Sequence, residues 1–89
     1  MLKLFRSKTF LKEYNKVKFT DKLYIKYAVY ITTLLKEEIL PLEAHDHSLQ
    51  GNYIEYREFH ISGDLLVVYK IEESVLKLAR IGTHAQLFK

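Results

Sequence analysis

YIEYREFHISGDLLVVYKIEESVLKLARI, residues 53–81, divides into three runs rich in β-branched, aromatic and aliphatic residues, at 53–60, 64–71 and 74–81. Short polar breaks separate them, the pattern of strands joined by tight turns. The first break, Ile61-Ser62-Gly63, is hairpin-sized and offers a glycine for a positive φ. Leu65 to Tyr69 is apolar on both faces, as a central strand requires. Residues 53–81 are therefore expected to form an antiparallel meander.

Upstream the periodicity changes. In residues 38–52, EILPLEAHDHSLQGN, proline, glycine and two of the four histidines concentrate in an expected ordered loop. Before it, Leu23, Tyr27, Ile31 and Leu34 share one helical face. Thr20 or Asp21 caps that helix, which must stop before Pro41. An earlier helix starts from Ser7 and carries the stripe Phe10, Tyr14 and Val17. MLKLFR, residues 1–6, alternates as a short strand. The order is β-α-α-β-β-β. It predicts an α+β domain over 1–89, with two helices on one face of a small, mainly antiparallel four-stranded sheet.

Nearly half the residues, 48%, are hydrophobic, enough for one core and against disorder. There is no cysteine, which excludes disulfides and thiolate metal sites. No window approaches the ~18 apolar residues of a membrane span, and MLKLFRSKTF lacks the apolar core of a signal peptide. A cytoplasmic protein is expected. Charge is asymmetric: residues 1–36 hold nine Lys/Arg against two acids, whereas 37–52 hold four acids and no Lys/Arg. Lys8, Lys12 and Lys16 form a stripe opposite the apolar face of the first helix. Such a stripe suits a polyanion or an acidic partner, and equally a solvated surface.

His60, Asp64, Arg80 and His84 stand near strand ends. Metal-free RNA cleavage needs a base for the ribose 2′-OH, an acid for the leaving 5′-oxygen and a cation for the phosphorane. Histidine serves as base or acid near neutral pH, and the guanidinium fork matches phosphate oxygens. Across a three-residue hairpin loop, Asp64 would face and orient His60. Each residue also has a structural reading: His60 as a strand-end hydrogen bonder, Asp64 as a turn residue, His47 as a loop hydrogen bonder, Phe88 as core. Arg80 sits among Leu76 and Leu78, a costly place for an unpaired charge. Arg57 alternates to the face opposite His60 and suits a structural ion pair. His45-Asp46-His47 supplies two histidines without a recognisable third ligand, so neither a metal site nor a cofactor is expected.

The chain resembles the YafQ-like branch of the RelE/ParE toxin superfamily. The match rests on Asp46-His47 before Leu49-Gln50-Gly51, on Tyr56-Arg57-Glu58 before His60, and on Asp64 opening the strand that ends Val68-Tyr69-Lys70. Its fourth piece is Arg80-Ile81-Gly82-Thr83-His84 ending in Leu87-Phe88. The resemblance implies a RelE-like fold and a metal-independent endoribonuclease acting on mRNA at the ribosome, held in check by an acidic antitoxin. It implies catalytic roles for His47, His60, Asp64, Arg80 and His84, and substrate contact through Phe88, Lys8, Lys12 and Lys16. Family members often carry proline where this chain has Ser48, and some an aromatic residue where it has Leu65. A ParE-like toxin that binds a topoisomerase without catalysis, or an inactive paralogue, are the other readings.

Overall fold

Residues 1–88 are described by a computed structural model. Its elements are β1 (Lys3–Arg6), α1 (Lys8–Tyr14), α2 (Asp21–Leu35), β2 (His47–Ser48), β3 (Arg57–Ser62), β4 (Leu65–Glu72), β5 (Val75–Thr83) and α3 (His84–Leu87). Ser7 Oγ accepts the Phe10 N–H and Thr20 Oγ1 the Leu23 N–H, so both expected N-caps form.

The class is α+β, but the sheet has five strands rather than the four expected, in the order β1-β5-β4-β3-β2. It is mixed, because β1 runs parallel to β5 while the other neighbours are antiparallel. The added strand is β2, where His47 pairs with Glu58 and Ser48 with Arg57. Two residues carry no readable alternation, so this strand exists through its partner alone. At the other end, residues 53–56 are not strand as expected. Gly51–Tyr53 forms a 3₁₀ turn with Gly51 at φ 66°, and the Tyr56 N–H returns to the Tyr53 carbonyl. Local hydrogen bonds thereby satisfy the backbone that a longer β3 would have paired.

The first hairpin also differs. His60 pairs with Leu66 and Ser62 with Leu65, with a bulge between, so Gly63-Asp64 alone makes the turn. Gly51, not Gly63, is the glycine at positive φ. The β4–β5 turn instead places Glu73 and Ser74 at φ 53° and 64°, the paired left-handed geometry that fits strand twist.

As expected, α1 and α2 cover one sheet face. Phe10, Tyr27, Tyr30, Ile31 and Leu34 pack there against β3–β5 residues including Phe59, Val67, Tyr69 and Leu78. The opposite face holds a smaller cluster of Leu66, Val68 and Leu87, joined by Tyr53, Tyr56 and Phe88. Burying Leu66, Val68 and Leu87 contributes roughly 1.5–3 kcal/mol each, enough to seat the one-turn α3. That third helix was not among the two expected. Thr83 and Gln86 form a reciprocal capping box that starts it.

Candidate active site

The face bearing Leu66 and Val68 also carries most of the candidate site residues. Cross-strand register puts His60 beside Leu66, and Glu58 and Arg80 on either side of Val68. Adjacent strands lie about 4.8 Å apart, so the Glu58 and Arg80 backbones are separated by roughly 10 Å.

Arg80 reaches this face through a β-bulge. Val68 pairs with Arg80 but Tyr69 pairs with Leu78, which leaves Ala79 as the extra residue. With strict alternation Arg80 would follow Leu76 and Leu78 into the helix-side core. The bulge lets Leu78 and Ile81 both face that core while Arg80 turns toward Val68 and Tyr53.

Its guanidinium is held firmly. Nε donates to both carboxylate oxygens of Glu13 at 2.9 and 3.0 Å, and Nη2 donates to Oε2 at 2.6 Å. Nη1 lies 3.4 Å from the Tyr53 hydroxyl. The Glu13 hydrogen bonds raise the Arg80 pKa above its ordinary value, against the opposing effect of burial.

On the other side of Val68, His60 and His47 meet a carboxylate, with the His45 ring beside His60. Glu58 is 3% exposed, and its Oε2 lies 2.9 Å from His60 Nε2 and 3.5 Å from His47 Nε2. The His60 ring centroid is 5.7 Å from that of His45 and 6.3 Å from that of His47. His47 Nδ1 lies 2.6 Å from the His45 carbonyl, which can only accept, so Nδ1 carries the proton. Beneath them Asp46 pins the loop to the sheet, accepting from Arg57 Nε at 3.2 Å and from the Tyr69 hydroxyl at 2.7 Å. Burial, then Asp46, pushes the Tyr69 hydroxyl pKa up. Arg57 is thus the structural ion pair its alternation suggested. Because Asp46 lies between His45 and His47 in sequence, this anchor fixes both.

Asp64 does not orient His60. The two-residue turn places it beyond the paired strands, where its Oδ1 accepts the His84 backbone N–H at 3.3 Å. It secures the start of α3. Glu58 instead contacts His60, and its signal in the sequence is the two-residue spacing that puts both on one strand face. His84 is exposed and lies against Phe88, with ring centroids 5.0 Å apart; Phe88 in turn meets the Tyr53 ring at 5.3 Å. Tyr53 therefore links the His84–Phe88 pair to Arg80. Lys8 and Lys12 are exposed on α1, but the helix ends at Tyr14, so Lys16 lies in the turn after it and not on the expected helical stripe; it lines a cavity of about 380 Å³ with Glu13, Leu65 and Thr83. Leu65 packs against the helix-side core, away from any base-stacking position.

Two groups of side chains, His47–His60–Glu58 and Arg80–Tyr53–Phe88–His84, thus flank one apolar ridge on a small α+β scaffold. The family model described as "Bacterial toxin of type II toxin-antitoxin system, YafQ" matches residues 2–89, and the chain belongs to that family. It is 44% identical over 61 residues to the mRNA interferase toxin YafQ of Escherichia coli strain K12, spanning 66% of each chain. A putative toxin YafQ of Haemophilus influenzae is 38% identical over 65 residues, covering 68% of this chain and 64% of its own length. These alignments cover about two thirds of the relatives' length. Among solved structures, a copper-bound mutant toxin from Helicobacter pylori superposes with a TM-score of 0.88 at 37% identity, over 99% of this chain and 100% of that one. The toxin of an E. coli DinJ-YafQ complex gives 0.85 at 29% identity, with both chains fully covered. Among the described residues no helix is long and apolar enough to cross a membrane.

Proposed function

We propose that this toxin is an mRNA interferase that cleaves ribosome-associated message in the cytoplasm by attack of the ribose 2′-OH on the adjacent phosphorus, and that an acidic antitoxin restrains it. The arrangement that carries this reading is His60, bonded to the buried Glu58, on the same sheet face as the clamped Arg80. A carboxylate on Nε2 sets which ring nitrogen bears the proton and steadies the imidazolium formed on proton uptake. His60 and His84 supply the base and the acid, His47 supports the Glu58 group, and Arg80 holds the charge developing on phosphorus. Phe88, with Tyr53 behind it, offers an aromatic face to a base. Asp64 serves the reaction through the backbone of His84.

A rival reading follows from the metal-bound Helicobacter toxins and the histidine cluster: a cation that activates water. Among the described residues, no group of three or more His, Asp or Glu side chains is arranged to hold a metal ion. Product ends separate the two. Attack by the 2′-OH leaves a 2′,3′-cyclic phosphate and a 5′-OH. We expect those ends, and cleavage that survives excess EDTA once ribosomal magnesium is restored. Ends bearing a 5′-phosphate would overturn the mechanism.

Lys8, Lys12 and Lys16 are assigned to phosphate contact on ribosome or message, supported by their exposure on α1 and the turn that follows it. Each phosphate engaged releases counterions, so a glutamate at any of these positions should flatten the fall of activity with salt. An unchanged slope would make the stripe plain solvated surface.

A further inference from the structure

The ion pair between α1 and β5 asks why a residue assigned to phosphate is already bound by a carboxylate. β1 ends opposite Leu78, so β5 beyond that point has no strand on its outer side. Side chains at the two ends of α1 finish this edge: Ser7 Oγ donates to the Ala79 carbonyl at 2.9 Å, and Glu13 Oε1 accepts the Ile81 N–H at 3.2 Å. Glu13 therefore fixes the backbone on the C-terminal side of Arg80 and the guanidinium at the same time.

A guanidinium carries five N–H donors in one plane. Glu13 takes Nε–H and one Nη2–H, and the Tyr53 hydroxyl faces one Nη1–H. Among the described residues, one N–H on Nη1 and one on Nη2 keep no protein partner. These two remaining donors point away from the Glu13 edge and can meet phosphate oxygens. A free arginine side chain would sample many rotamers and lose that freedom on meeting substrate. Here that order is present before substrate arrives.

The geometry points to Glu13 as a positioning residue for the cleavage reaction: it locks Arg80 by its inner edge so that the remaining donors meet the phosphate. This rests on the reading of Arg80 as the phosphate-holding residue. Because Glu13 follows Lys12 on α1, the helix that bears Lys8 and Lys12 also sets the Arg80 guanidinium.

The test is Glu13→Gln, assayed on a model mRNA bound to ribosomes under single-turnover conditions. Glutamine retains an oxygen for the Ile81 N–H but loses the charge and the two-point grip. We expect the cleavage rate to fall roughly 10- to 10²-fold, with affinity for the message–ribosome complex and the thermal midpoint near wild type. Adding Glu13→Gln to Arg80→Ala should slow cleavage no further, since the two act as one unit. Ser7→Ala loosens the same strand edge without touching Arg80. If its activity falls with its midpoint along the same line as Glu13→Gln, Glu13 only closes the edge and the inference is overturned. A Glu13→Gln rate at or above wild type overturns it equally, because the carboxylate would then be idle or withholding Arg80. Full activity in Arg80→Ala would remove the underlying assignment of Arg80 instead.

Discussion

His84→Ala and His60→Ala should each lower message cleavage by roughly 10²–10⁴-fold, the usual share of a general acid or base. They should differ in stability. His84 is exposed, and its link to Asp64 runs through the backbone N–H, which alanine keeps. Its thermal midpoint should stay near wild type. His60 is half-buried and bonded to Glu58, which is 3% exposed. Without the imidazole that carboxylate loses its nearest donor, and leaving a buried acceptor unsatisfied costs about 1–3 kcal/mol. His47 Nε2 at 3.5 Å can recover part of this by closing in. Circular dichroism melts beside single-turnover cleavage decide the matter. Full cleavage by either folded variant removes that histidine from the proton transfers.

Arg80→Lys should lose roughly 10²–10³ in kcat, the loss typical of removing one donor aimed at transition-state charge. Lysine keeps a positive charge, but its ammonium is a point and not a fork. It cannot hold the Glu13 carboxylate at two points and also present two N–H groups to phosphate. Ground-state affinity for message and ribosome should change little, because the surrounding lysines and the net charge are untouched. Comparing kcat with Kd tests this. Equal losses in both would make Arg80 a general phosphate anchor rather than a transition-state group.

Much of the scaffold was legible in the chain because its causes are local. Caps at Ser7 and Thr20 follow from hydroxyls preceding apolar stripes, and the three long strands follow from β-branched runs broken by turn residues. The two-sided apolar character of Leu65 to Tyr69 marked β4 as central, and it contributes to both cores. The short helix at His84–Leu87 was equally local, since Thr83 and Gln86 stand at capping-box spacing.

By itself, then, the sequence determined the two main helices, the four longer strands, the core faces and the residue types able to move protons and hold phosphate, since each depends on neighbours within a turn or a strand. The tertiary structure alone decided how those residues meet. β2 exists because His47 and Ser48 find β3 across a loop. His60 is served by Glu58 and not Asp64 because the bulge before Ser62 shortens the hairpin by one position. Arg80 reaches the chemical face because a bulge at Ala79 breaks the two-residue alternation, and it is held there by Glu13, 67 positions away in the chain. Strand register and long-range ion pairs are settled by packing the whole sheet, where one residue of slip exchanges the faces, and no local pattern records that choice.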